Sequence, residues 1–264
     1  MAHRYHSGTS RINVTNCYFI KNCVGIRIGR YGNSPLYALY DIKVSGYEFE
    51  SNFYALSFHG GHVSHINSVF KRNKLKNSDS SNIMIFVPLK SVGLKLNLGN
   101  LENNDTIDDG MNHILGSVWS IYNFSYDTIY AQGNLWDYQD STLIDSKIYD
   151  DNENPALGKV DFKYFYRAGR IDRDLIVKGK FLISGDIIIP ESVKLKIIPP
   201  AEIIFAKNFD ILRQGNDTSK AELIIYGDLK IEGEGKTTFT SDGFIKEKGD
   251  FYGIVFKEKK EMKL

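Results

Sequence analysis

Short apolar strands recur along the first half of the chain too closely for an ordinary sheet protein, and this recurrence limits the fold more than any other feature. Three segments align: Asn16-Cys17-Tyr18-Phe19-Ile20-Lys21-Asn22, Gly46-Tyr47-Glu48-Phe49-Glu50-Ser51-Asn52 and Asn67-Ser68-Val69-Phe70-Lys71-Arg72-Asn73. Each reads as a small turn residue, two spacers, Phe, two spacers and Asn. Phe49 and Phe70 are 21 residues apart. Phe19 and Phe49 are 30 apart, as the same repeat gives if it carries an insertion over Arg30 to Leu36. Alternating strands flank the motifs: Val24-Gly25-Ile26-Arg27-Ile28, Tyr54-Ala55-Leu56-Ser57-Phe58 and Ile83-Met84-Ile85-Phe86-Val87. Alternation turns one face inward and the other outward.

A unit of about 20 residues with two or three short strands cannot bury its own apolar face, so it stacks on copies of itself. That is the logic of a parallel β-helix. Asn at its corners tolerates left-handed backbone angles, and an inward Asn can ladder with Asn of the next coil. Leucine-rich repeats would need a leucine consensus, and propeller blades run about twice as long.

Composition narrows the class. Of 264 residues, 33 are basic and 32 acidic, which leaves a net charge of +1 and argues against a nucleic-acid binder. Hydrophobic content of 42% fits a folded chain. No apolar run approaches the ~18 residues of a membrane span, and the segment Met1 to Gly8 lacks the apolar core of a secretory signal. Repeat sequence follows almost directly, as expected for the C-terminal piece of a longer protein. The two cysteines, Cys17 and Cys23, read as small thiols without a disulfide framework.

The first half ends on Ser120-Ile121-Tyr122-Asn123, Thr128-Ile129-Tyr130-Ala131, Gly133-Asn134-Leu135-Trp136 and Ile144-Asp145-Ser146-Lys147-Ile148-Tyr149-Asp150-Asp151. With the Phe-x-x-Asn coils, these motifs resemble the right-handed parallel β-helix repeat proteins of the pectin-lyase-like superfamily, including its NosD-like repeats. The resemblance covers most of residues 10–160. It implies an all-β, right-handed solenoid in which Gly-Asn-x-Trp marks the end of a run of coils. It also implies an extracellular, cell-surface or periplasmic protein.

Trp136 is then expected to cover the last rung, helped by a short helix N-capped by Ser141 with Leu143, Ile144 and Ile148 at helical spacing. Asp150 to Pro155 reads as a solvated turn, with calcium binding as the functional alternative. From Leu175 the texture changes to dense Ile/Val/Leu strands separated by turns at Gly185, Pro190, Pro199-Pro200, Gly227, Gly233 and Gly243. Gly185-Asp186 and Gly227-Asp228 lie 42 residues apart, the distance of two coils of 21. This half resembles the opening coils of such solenoids. The expected organisation is coils over 1–136, a cap and linker over 137–170, and a second β-helix segment over 171–264. An exposed last rung would support self-association through solenoid ends.

Candidate sites are sparse. The acidic loop with Asp105, Asp108 and Asp109, followed by His113, carries the catalytic candidates, and Asp108 and Asp109 the metal candidates. Its spacing departs from the calcium-hand pattern at Ile107. Trp136 and Tyr138 are the candidate binding residues. His59, His62 and His65 read as solvated turn histidines, because residues three apart on a strand point to opposite faces. No Ser/His/Asp set, phosphate loop or paired CxxC is present. No cofactor is expected, calcium being the alternative. The leading expectation is a non-catalytic module presenting a flat face to polysaccharide or protein. The alternative is a carbohydrate-active lyase or hydrolase, which would show converging carboxylates.

Overall fold

A computed structural model describes residues 9–15, 17–29, 39–59, 65–71, 73–87, 94–103, 108 and 110–257. The chain divides into two units, Met1–Lys163 and Tyr164–Leu264. Among the described residues the structure is all-β apart from one five-residue helix.

The first unit contains β1 (Thr9–Thr15), β2 (Tyr18–Ile20), β3 (Val24–Gly29), β4 (Leu39–Ser45), β5 (Glu48–Glu50), β6 (Tyr54–His59), β7 (His65–Lys71), β8 (Lys74–Val87), β9 (Leu94–Gly99), β10 (His113–Ser125), β11 (Ile129–Ala131), β12 (Leu135–Trp136), helix α1 (Ser141–Asp145), β13 (Ile148–Tyr149) and β14 (Val160–Asp161). One parallel ladder has the order β1-β4-β7-β9-β11-β14. A second runs β2-β5-β8-β10-β12, and a third β3-β6-β8-β10-β13. The chain visits these ladders in one cyclic order, with β8 and β10 each long enough to serve two. This order is compatible with a solenoid.

Register corrects the repeat. Phe19 pairs with Phe49, as the motif requires, and their rings stack at 5.0 Å. The next residue in that column is Leu75, not Phe70. Phe70 lies on the first ladder opposite Val44. The column continues through Ile114 to Trp136. Successive passes are 30, 26, 39 and 22 residues long rather than a constant 21. Loops at the corners absorb the variation, because the inward column needs only the right side chain at each level. The insertion expected over Arg30 to Leu36 lies outside the described residues.

Asparagines fix one corner. Asn73, Asn112 and Asn134 immediately precede their β8, β10 and β12 strands, and all three are buried. Asn73 Nδ2 donates to Asn112 Oδ1 (2.9 Å), and Asn112 Nδ2 donates to Asn134 Oδ1 (2.8 Å). Each amide also reaches a corner carbonyl: Asn73 that of Val44, and Asn112 and Asn134 that of Leu98. Buried polar groups survive only when satisfied in this way. Asn52 belongs to a different corner, where its Oδ1 accepts the Asn22 backbone N–H.

The second unit contains β15 (Tyr166–Arg170), β16 (Leu175–Ile189), β17 (Lys194–Phe205), β18 (Glu222–Ile225), β19 (Asp228–Ile231), β20 (Thr237–Ser241) and β21 (Gly253–Phe256). Three parallel ladders form: β16-β17-β19, β15-β16-β17-β20 and β15-β16-β18-β21. The inward residues Val177, Phe181, Ile183, Ile187, Ile189, Leu195, Ile197, Ile203, Phe205, Leu223 and Ile225 make one core. Each such burial is worth about 1.5–3 kcal/mol.

Two expectations fail here. Asp186 precedes Ile187, which pairs with Leu223, whereas Asp228 pairs with Lys194, so the two Gly-Asp corners are not equivalent. The Pro199-Pro200 turn is absent as well. β17 runs through both prolines, with a register shift between Ile198 and Ala201 opposite Gly179, whose φ is +69°. A proline can lie within a strand where such an irregularity removes the need for its N–H.

Candidate functional site

Alternation along β6, β8, β10 and β13 sorts their side chains. Leu56, Ile83, Ile121 and Ile148 form one inward column, all buried. The next residues along, Met84, Tyr122 and Tyr149, form an alternate, partly exposed column that ends on the buried Ser57, and Phe86 and Phe124 form another that ends on the buried His59. On this outward side the aromatics gather. Tyr122 and Tyr149 stack with centroids 4.3 Å apart and planes 5° from parallel. Trp119 lies 6.2 Å from Tyr122 and 5.7 Å from Tyr149, tilted 71° and 76° to them. A ring nearly equidistant from two stacked rings lies alongside the stack, so tyrosine edges face it. Phe86 and Phe124 stack beside them at 5.2 Å.

The tyrosines cover one another, so neither offers a free face between them. Trp119 is turned across that stack and is held by it, being half-buried. Offset and edge-on packing of this kind adds about 0.5–1.5 kcal/mol per pair. Tyr122 has a phenol pKa above the ordinary 10, first from burial, then from the charge and hydrogen bond of Tyr149.

The residues singled out from sequence lie elsewhere. Trp136 is 4% exposed and belongs to the inward Phe19 column, with Phe162 edge-on at 6.0 Å. It therefore presents no ring to a ligand. Its Nε1–H has no acceptor among the described residues. Tyr138 is exposed. Asp105 and Asp109 lie outside the described residues. Asp108 is buried, and its Oδ2 accepts Asn97 Nδ2 and Asn103 Nδ2. His113 is buried on β10 and stays neutral near pH 7, since burial, then the Lys74 charge, hold its pKa at about 4.

Three smaller readings change. His59 is buried rather than solvated, against Phe86 at 5.9 Å. His62 and the side chain of His65 lie outside the described residues. Asp140, not Ser141, caps α1: its Oδ1 accepts the N–H groups of Thr142 (2.8 Å) and Leu143 (3.3 Å). Asp150 is buried rather than solvated, accepting Asn152 N–H (3.0 Å) and Val160 N–H (2.6 Å).

The second unit holds a group of carboxylates that sequence reading missed. Asp186, Asp210 and Glu222 are all buried. Asp186 Oδ1 accepts the Glu222 N–H at 3.0 Å. Asp210 accepts Leu212 N–H and Gln214 N–H, each at 2.9 Å. Glu222 accepts N–H groups of Asn216 and Asp217 and the Asn216 amide. These carboxylates therefore pin the 210–217 loop. A Cβ on Gly215 would stand 2.7 Å from both Asp186 Oδ2 and Glu222 Oε1, so those oxygens lie within twice that distance of each other. Asp186 Oδ2 has no hydrogen-bond partner among the described residues, and its pKa rises to about 6, from burial first and then from Asp210 and Glu222. Among the described residues no group of three or more His, Cys, Asp or Glu is arranged to hold a metal ion, and no helix is long and apolar enough to cross a membrane.

No family model, no curated protein and no solved structure matches the chain. What defines it is its architecture of long parallel ladders, with an aromatic cluster on one outward face.

Proposed function

We propose that this chain is a non-catalytic parallel β-helix module, right-handed in keeping with its sequence resemblance, that binds an extended polysaccharide on the outward face of β8, β10 and β13. The cyclic visiting of three ladders and the Asn73-Asn112-Asn134 stack support the solenoid reading. The observation that carries the binding reading is Trp119, braced alongside the Tyr122–Tyr149 stack. A held aromatic plane packs on the apolar face of a sugar ring and loses little entropy on binding. Neighbouring phenol and indole groups supply hydrogen bonds to sugar hydroxyls. Asp186, Asp210 and Glu222 are buried and bonded to their own loop, so this group presents no carboxylate pair to a glycosidic bond. Exposure at a cell surface or in the periplasm fits this role.

A glycan array probed with the wild type and with Trp119→Ala tests the reading. The expected result is retention of one polysaccharide class, weakened at least tenfold by the substitution, about the 1.4 kcal/mol of one lost stacking contact. An array that retains nothing, or equal retention of the variant, would sink it.

A further inference from the structure

The loop between β20 and β21 in the second unit carries an apolar tip. Phe244 is 83% exposed and Ile245 66%. Two adjacent large apolar side chains displayed this fully form one contiguous patch rather than a scattered single residue. The loop is held at both ends. Asp242 N–H donates to Phe205 O (2.9 Å), while the Asp242 carboxylate accepts Lys207 N–H (2.7 Å) and the Tyr166 hydroxyl (2.6 Å). Asp250 is buried and accepts Ser241 Oγ–H (2.6 Å) and Glu247 N–H (2.9 Å).

Lys207 lies beneath the tip. Its Nζ donates to Ile245 O (2.8 Å) and Glu247 Oε2 (2.8 Å) and pairs with Asp250 Oδ1 at 3.1 Å. The Ile245 backbone is thus anchored while the Phe244 and Ile245 side chains face solvent. So many bonds at its base mean that the display is built into the loop rather than a result of fraying.

Charge indicates the partner. Lys246 and Lys248 follow the apolar pair directly, both exposed, and neither has a carboxylate partner among the described residues. Glu247, the acid between them, is paired with Lys207. A protein pocket could take the phenyl ring but would not call for two unpaired cations on the same side of it. An anionic bilayer uses both features: the apolar side chains enter the headgroup–acyl boundary, and the ammonium groups remain at the level of the phosphates. We propose that the Phe244–Ile245 tip, with Lys246 and Lys248, docks the protein on an anionic lipid surface.

Sedimentation of the full chain with vesicles tests this, comparing pure phosphatidylcholine with a mixture containing phosphatidylserine. Binding is expected to the anionic vesicles and to weaken as salt rises. Phe244→Ser with Ile245→Ser lowers it at least tenfold, and Lys246→Gln or Lys248→Gln about fivefold each. All four positions are exposed, so thermal unfolding stays unchanged and loss of fold cannot mimic the effect. Failure to sediment with anionic vesicles overturns the proposal. So does equal sedimentation of the Phe244/Ile245 variant, or equal affinity for the two vesicle types.

Discussion

Replacing Asp186 by Asn should make the chain more stable at neutral pH and change how its stability depends on pH. In the fold Asp186 is fully buried among Asp210 and Glu222, with Oδ2 unsatisfied, and its pKa is raised from the ordinary 3.8 to about 6. The native state therefore binds this proton more tightly than the unfolded chain does. Its contribution is fully present below about pH 4 and is lost as pH rises through about 6. A shift of about two units corresponds to roughly 3 kcal/mol. Asn keeps the acceptor for the Glu222 N–H and adds an amide that can donate to the neighbouring carboxylates, with no charge to desolvate. Urea unfolding of the wild type and Asp186→Asn at intervals from pH 4 to pH 8 measures the difference. The variant should gain roughly 3 kcal/mol relative to wild type between pH 4 and pH 7, then level off. A difference independent of pH, or one favouring the wild type as pH rises, would refute the reasoning.

Other perturbations have equally definite outcomes. Asn112→Ala removes the middle of the amide stack and strands the Asn73 N–H, so chemical denaturation should show a loss of about 3 kcal/mol. Gly99→Ala forces a side chain onto a residue at φ +152° and against the Gln132 carbonyl oxygen, so a loss above ~3 kcal/mol, or no soluble folded protein, is expected on thermal unfolding. His113 carries the opposite pH signature to Asp186. Its depressed pKa gives stability that is present above pH 6.5 and lost as pH falls toward 4, and His113→Gln should abolish that part of the acid destabilisation.

The repeated Phe-x-x-Asn motif made stacked parallel strands legible before any coordinate, because alternation and turn residues are local properties. Register was not legible. Phe70 matched the motif as well as Phe19 and Phe49, yet it lies on another ladder, since corner loops vary in length and only three-dimensional stacking shows which residues share a level. The same limit hid the aromatic cluster. Tyr122 and Tyr149 meet only because Ile121 pairs with Ile148 across α1 and its flanking turns. The alternation of Ile83 and Ile85 with Met84 and Phe86 was the available signal that large side chains face outward there. Trp136 drew attention as a conspicuous aromatic, but whether a tryptophan faces core or solvent depends on that register. Asp186, Asp210 and Glu222 converge through a loop fold that no spacing announces.

The proposed binding face is tested most directly by the fluorescence of Trp119. The chain has two tryptophans, and Trp136→Phe leaves Trp119 alone. Phe keeps an aromatic ring in the inward column, and Trp136 Nε1–H has no acceptor among the described residues to lose. Titration of that variant with the polysaccharide retained on the array should give a saturable blue shift as the ring leaves water, absent when Tyr122→Ala and Tyr149→Ala remove the brace. An emission spectrum unmoved by a polysaccharide that demonstrably binds would contradict the account.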